Sequence, residues 1–123
     1  VKLAIEYGAS RIGHGTRIRE DEEVYRLVKE KNIPLELCPT SNVQTCCVKD
    51  YEDHPIVNYL RDKLVVTINT DDPAIEGTKI SREHKMVIKH LGLTKAEQKQ
   101  IILNAINSAF TTEEVKEELR SKI

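Results

Sequence analysis

The chain has 123 residues, of which 39% are hydrophobic and 32% charged, a balance that is typical of a folded globular domain. Its 19 basic and 20 acidic residues leave a formal net charge of -1, so we expect no binding to nucleic acid through bulk electrostatics. No apolar run approaches the roughly 18 residues of a membrane-spanning helix, and the N-terminal residues lack the apolar core of a signal peptide.

The first half of the chain alternates helical and strand-like segments. A short helix at the N-terminus, stopped by Gly8, precedes a strand predicted for residues 9–14. Helical spacing of apolar residues predicts a helix over residues 20–31, and Leu35-Glu36-Leu37-Cys38 is typical of a second strand. The proline, hydroxyl and amide residues 39–42 then favour a turn.

The second half contains one strand and several helices. Residues 43–53 are predicted to be an irregular loop, and Pro55 suits the first position of a short helix. The β-branched residues 64–69 predict a buried strand of a parallel sheet. After Pro73 the chain is predicted to be helical to its end, with capping boxes at Thr94–Glu97 and Thr111–Glu114.

Three strands separated by crossover helices predict parallel pairing and an α/β architecture. Three parallel strands alone make a sheet with two open edges. We therefore expect the chain to be part of a larger sheet or barrel, or to associate with itself through these edges.

Polar residues follow each predicted strand: His14, then Thr40-Ser41-Asn42, then Asp71-Asp72. In parallel α/β barrels the active site gathers at this edge of the sheet. His14 could bind a metal or move a proton, or it could be a structural residue of a glycine turn. Adjacent carboxylates repel each other, so Asp71-Asp72 could hold a divalent cation, or cap a helix before Pro73.

The remaining histidines and the cysteines carry weaker signals. His54 is interpreted as turn packing, whereas His84 and His90 are interpreted as solvated helix residues. Three cysteines, two of them adjacent at Cys46 and Cys47, make a poor disulfide framework and favour a reducing cytoplasm. Cys38 is expected to be a core thiol, and no chemical role is assigned to the adjacent pair.

Four motifs occur in a fixed order along the chain. They are Arg11-Ile12-Gly13-His14-Gly15, the segment Leu37-Cys38-Pro39-Thr40-Ser41-Asn42-Val43-Gln44-Thr45, then Asp53-His54-Pro55-Ile56 and Thr67-Ile68-Asn69-Thr70-Asp71-Asp72-Pro73. Together they resemble the C-terminal third of the adenosine deaminases, metal-dependent (β/α)8-barrel hydrolases of the amidohydrolase superfamily. The resemblance implies that residues 1–123 are a C-terminal fragment of one barrel domain, about strands six to eight plus the C-terminal helices.

The resemblance also implies roles for three residues. His14 would be catalytic, orienting or activating a metal-bound hydroxide; Asp71 would be a ligand of one metal ion, usually zinc; and Asp72 would bind the purine substrate at N7. The implied reaction is hydrolysis of adenosine, or deoxyadenosine, to inosine and ammonia. Zinc lowers the pKa of its water to about 7, which suits this chemistry.

The chain lacks other residues that the resemblance leads one to expect. Family members carry a His-x-His pair on the first strand, a further histidine on the fifth and a glutamate that protonates the purine ring. We therefore expect the isolated chain to be inactive. A fragment of an adenine or other aminopurine deaminase and a non-catalytic, self-associating product are the alternatives.

Overall fold

Three parallel strands form one sheet in the computed structural model, which describes all residues from 1 to 123. The strands β1, β2 and β3 span Ile12–Gly13, Leu35–Leu37 and Val66–Ile68. They are adjacent in chain order, with Leu35 of β2 paired to Ile12 on one side and to Val66 on the other. The predicted α/β architecture with parallel pairing is confirmed, although each strand is shorter than its apolar run suggested.

Eight α-helices surround this sheet. In chain order, α1 to α8 span Lys2–Glu6, Glu22–Glu30, Pro39–Gln44, Ile56–Arg61, Pro73–Glu76, Ile80–Leu91, Lys95–Ser108 and Glu113–Arg120. Helix α2 lies in the crossover from β1 to β2, α4 lies in the crossover from β2 to β3, and α7 packs against β3. None of the helices combines the length and the apolar character that crossing a membrane requires.

The segment after β2 differs from the prediction. Residues 39–44 form helix α3 instead of a turn and the start of a loop. Pro39 stands at the beginning of the helix, where its fixed φ is already helical and its missing N–H costs nothing. The hydroxyl and amide side chains that follow bond to partners in other elements, so they do not compete for the backbone of the helix.

Of the two predicted capping boxes, one is present in the structure and one is not. Asp21 accepts a hydrogen bond from the backbone N–H of Val24 at the start of α2, and the predicted capping box of Thr94 and Glu97 is present at α7. At α8 the predicted box at Thr111 is wrong. Thr112, one residue later, is the cap, and its hydroxyl accepts from the backbone N–H three residues on.

The core is one cluster of 17 buried apolar residues between the sheet and its helices. Leu35, Leu37, Ile56 and Val66 are fully buried there. Each such aliphatic side chain stabilises the fold by about 1.5–3 kcal/mol through burial. Gly15 passes so close to this core that an added Cβ would lie 2.8 Å from a methyl carbon of Leu35, and its φ of 71° also requires glycine.

Both outer strands of the sheet have a free edge, as predicted, because β1 and β3 each pair only with β2. On the outside of β3 the side-chain amide of Asn104 donates to the carbonyl oxygen of Val66 at 3.0 Å. One helix residue therefore satisfies part of the edge that a further strand would pair with.

Candidate active site

The carboxyl ends of the three strands open into one cleft of about 540 Å³. His14 follows β1 directly, Ser41 and Asn42 lie on α3 after β2, and Asp71 lies shortly after β3. All four line the cleft. The sheet therefore brings together residues that are up to 57 positions apart in the sequence (71 minus 14).

His14 is held by its backbone and by its ring. Its N–H donates to the carbonyl oxygen of Glu36 at 3.0 Å, and its φ is 59°, a left-handed value that is uncommon outside glycine. The side-chain amide nitrogen of Asn42 lies 3.2 Å from ring atom Nδ1. Ring atom Nε2 is directed at the cleft and lies 3.6 Å from Oδ2 of Asp71.

Asp71 also has a left-handed backbone, with a φ of 60°. The Ser41 hydroxyl donates to its Oδ2 at 2.7 Å, which fixes the carboxylate that faces His14. Both side chains of the His14–Asp71 pair are more than two-fifths exposed, so the pair contributes little to the stability of the fold. Strained backbone at two facing polar residues is typical of a functional site.

Asp72 does not line the cleft. It is the N-cap of α5, and its Oδ1 accepts from the backbone N–H groups of Ala74 at 3.1 Å and Ile75 at 3.2 Å. The alternative reading of the aspartate pair as a helix cap therefore holds for the second aspartate and not for the first. Oδ2 of Asp72 takes no part in the cap.

A buried hydrogen-bond network lies behind His14. Oδ1 of Asn42 accepts from the hydroxyl of Thr16 at 2.9 Å and faces Nε2 of His54 at 3.0 Å. His54 is 1% exposed and its Nδ1 accepts from the backbone N–H of Ile56, which confirms its interpretation as turn packing; its contact with Asn42 is a further role that the sequence did not reveal. Burial, helped by the charge of Arg19, lowers the pKa of His54 to about 4, and the ring is therefore neutral at pH 7.

A second network holds α3 in place. The carboxylate of Glu83 on α6 is fully buried and accepts from the backbone N–H of Thr40 at 2.9 Å. It also accepts from the hydroxyls of Thr40 and Thr78. Because the anion lies at the N-terminus of α3, it complements the helix dipole there.

Sequence reasoning missed two of these residues. Thr16 carries no motif of its own, and Glu83 looks like any exposed acidic residue of a helix. Only the fold reveals that both are buried. The interpretation of His90 as solvated is wrong, since its ring stacks on Tyr51 and pairs with Glu52.

Three side chains could offer atoms to a metal ion. A ring nitrogen of His14, the thiol of Cys38 and a carboxylate oxygen of Asp71 all lie within 4.8 Å of one another. Burial, reinforced by the negative charge of Asp71, raises the pKa of the Cys38 thiol to about 12, so the free thiol is protonated, whereas a bound metal ion would displace that proton. A carboxylate, an imidazole and a thiolate are all ligand types that zinc takes, so the residues present fit this metal in kind.

The cysteine pair lies at the periphery of this arrangement. Cys46 is exposed, whereas Cys47 is half-buried at the wall of the cleft, and neither forms a disulfide.

The family model described as adenosine deaminase matches residues 1–123, the whole chain. An adenosine deaminase of Clostridium botulinum (strain 657 / Type Ba4) is 48% identical over 112 residues, which are 91% of this chain and 34% of that protein. An adenosine deaminase of Vibrio atlanticus is 47% identical over 111 residues, 90% of this chain and 33% of that protein. The chain thus spans about a third of the length of these relatives.

Solved structures of deaminases share the fold. Adenine deaminase from Arthrobacter aurescens superposes with a TM-score of 0.95 at 32% identity, over 98% of this chain and 37% of that one. The N6-methyl-AMP deaminase from Arabidopsis thaliana gives a TM-score of 0.88 at 29% identity, with 98% and 35% covered. A Burkholderia ambifaria amidohydrolase with bound Zn gives 0.83 at 26% identity, with 98% and 34% covered.

Proposed function

The chain belongs to the adenosine deaminase family, and we propose that residues 1–123 are the C-terminal third of one metal-dependent deaminase barrel. In this proposal the three strands are about strands six to eight of a (β/α)8 barrel. The complete barrel, meaning residues 1–123 with the remaining two thirds, hydrolyses adenosine and deoxyadenosine to inosine and ammonia. The coverage of about a third of each relative supports this assignment.

One observation carries the proposal. The imidazole of His14 and the carboxylate of Asp71 converge to 3.6 Å at the carboxyl edge of the sheet, where barrel enzymes place their active sites. Ser41 fixes the carboxylate, and Asn42 contacts the other side of the imidazole. The His14–Asp71 pair adds little to the stability of the fold, yet other side chains fix both of its members. A catalytic role explains this arrangement better than a role in folding does.

The metal of this site would be one zinc ion. Asp71 is the residue of this chain that would ligate it, and the remaining ligands would come from the other two thirds of the barrel. A Zn-bound amidohydrolase among the structures similar to this chain supports the choice of metal. When bound, zinc lowers the pKa of a water molecule to about 7 and so supplies a nucleophile at neutral pH.

In this proposal, residues of this chain orient the attacking water and bind the purine. His14 presents Nε2 to the cleft beside Asp71, where it can hydrogen-bond the attacking water. Asp72 keeps Oδ1 for its own helix and has Oδ2 left for the purine. Because purine N7 and a carboxylate oxygen are both acceptors, a contact between Oδ2 of Asp72 and N7 requires a proton shared between them.

The first test is to sequence the coding region upstream of Val1. The proposal expects an in-frame extension of roughly two hundred residues, the balance of a typical (β/α)8 chain. That extension should contain an early His-x-His pair and a later histidine followed closely by a glutamate. A start codon at or near Val1, with no such residues before it, would overturn the proposal.

The second test is activity of the complete barrel. Purified protein should release inosine and ammonia from adenosine, and Asp71→Ala should abolish both the activity and the stoichiometric zinc measured by elemental analysis. Asp53→Ala is the matched control, because it removes an exposed carboxylate that does not line the cleft. Equal loss in both variants, or full activity in Asp71→Ala, would contradict the proposed role of Asp71.

A second candidate is a deaminase of adenine or another aminopurine. The similarity to the Arthrobacter aurescens adenine deaminase favours it. Comparison of kcat/KM for adenosine, adenine and AMP separates the candidates, and a higher value for adenine would replace the first assignment.

A further inference from the structure

A buried chain of hydrogen bonds ends at the ring of His14, and its direction can be worked out from its far end. The backbone N–H of Ile56 lies 3.3 Å from Nδ1 of His54. A backbone N–H can only donate, so this ring nitrogen must accept and carries no proton. Since His54 is buried and neutral, its one ring proton is on Nε2.

The proton on Nε2 of His54 fixes the next group. The Asn42 atom that faces it at 3.0 Å must accept, and it is therefore the amide oxygen Oδ1. The hydroxyl of Thr16 donates to the same oxygen at 2.9 Å, which satisfies its second lone pair. The opposite orientation of this amide would place its NH₂ group opposite the ring N–H of His54. Two donors would then face each other, and Asn42 is only 3% exposed.

With Oδ1 committed to two donors, the NH₂ group of Asn42 faces Nδ1 of His14 at 3.2 Å and donates to it. We propose that Asn42 is a positioning residue that keeps Nδ1 of His14 unprotonated and its ring proton on Nε2, and that His54 acts through Asn42 by fixing the amide orientation. A backbone N–H of α4 thereby determines which nitrogen of His14 carries the proton toward the cleft. Of the residues of this relay, His14 is the one that faces Asp71, with Nε2 at 3.6 Å from Oδ2.

The consequence for catalysis rests on the proposed function. A ring in the wrong tautomer would present a bare nitrogen to the cleft, and the hydrogen bond that His14 offers there would reverse its direction. Removing a partner that orients a metal ligand typically costs about 10- to 100-fold in activity, and we expect a loss of similar size here, where the oriented histidine contacts the attacking water. Asn42 and His54 should therefore act on kcat and leave KM nearly unchanged.

The test uses ¹⁵N spectra of the histidine rings, recorded on the complete barrel, with the His14 signals identified from a His14→Gln sample. In the unmodified protein Nδ1 of His14 should have the shift of an unprotonated ring nitrogen, and Nε2 that of a protonated one. Asn42→Asp keeps the size of the side chain and both contacts to its donors, but it turns the atom facing His14 into an acceptor. Nδ1 of His14 should then become protonated.

Two variants of His54 give an independent readout. His54→Leu removes the donor to Asn42 and should populate both tautomers of His14, with kcat lowered about 10-fold or more per bound zinc. His54→Gln restores an N–H at the position of Nε2. It should recover most of kcat and most of the single tautomer of His14. A purely structural role for His54 would change the yield of folded protein equally in the two variants and leave the ring shifts of His14 unaltered.

The outcomes separate this inference from the proposed function. If Nδ1 of His14 remains unprotonated in Asn42→Asp, or is already protonated in the unmodified protein, the relay is wrong whatever the enzyme does. If the ring shifts respond as expected but the unmodified barrel releases no inosine, the relay holds and the deaminase assignment fails.

Discussion

Acidification should destabilise the chain through His54 in particular. His54 is 1% exposed, and burial lowers its pKa from an ordinary 6.5 to about 4 in the folded state. Between these two values the unfolded chain binds a proton that the folded chain excludes, so stability falls as the pH falls from 6.5 toward 4. At about 1.4 kcal/mol for each pKa unit, the loss between pH 7 and pH 4 is about 3 kcal/mol from this residue alone.

The assay is urea unfolding of the 123-residue chain at pH 7, 6, 5 and 4, followed by circular dichroism. His54→Gln is the matched variant, because it keeps a donor for Asn42 and cannot titrate. Carboxylates with lowered pKa values, such as Glu97 in its ion pair with Arg61, also lose stabilisation in acid, but they do so in both proteins and cancel in the difference.

The expected result is a free energy of unfolding that falls by about 3 kcal/mol more in the unmodified chain than in His54→Gln. A difference of this size is far outside the error of linear extrapolation for a domain of this length. Parallel pH profiles for the two proteins would refute the reasoning, because they would mean that His54 takes up its proton without leaving the folded state.

Other changes probe separate contacts of the cleft. Ser41→Ala removes the hydroxyl that donates to Asp71 at 2.7 Å and should weaken zinc binding by the complete barrel about 10- to 100-fold, measured by competition with a chelator; an unchanged affinity would show that the contact is incidental. Asp72→Asn should bind a ground-state purine nucleoside more tightly than Asp72→Ala, because an amide can cap α5 and also donate to N7, and equal affinities would refute the contact with N7. The isolated 123-residue chain should form no inosine from adenosine over many hours, and any formation above a heat-treated control would mean that residues 1–123 contain a complete site.

The order of strands and crossover helices was predictable because apolar residues mark each strand and turn or helix signals separate the strands. Leu64 to Ile68 reads as a strand of a parallel sheet without any tertiary information, and the free edges follow from counting strands. The helical start of residues 39–44 was not predictable in the same way. Thr40, Ser41 and Asn42 favour turns when their side chains bond locally, and here all three bond to distant groups instead.

The residues of the site likewise include some that the sequence predicts and some that it does not. His14 directly follows β1 and Asp71 lies three residues after the end of β3, and the geometry of a parallel sheet predicts that both lie at the same edge. The groups that orient them do not follow from position in the sequence. His54 and Glu83 are both fully buried, and burial of a polar residue depends on what packs over it, which a short window of sequence does not contain.

The part of the site that this chain carries is organised before the rest of a barrel is present. Ser41 on α3 holds Asp71, Asn42 on the same helix contacts His14, and the anion of Glu83 secures that helix at its N-terminus. Every one of these partners lies within the 123 residues. A zinc ion brought by ligands from elsewhere would therefore meet a carboxylate and an imidazole already in place, and little conformational entropy would be lost in completing the site.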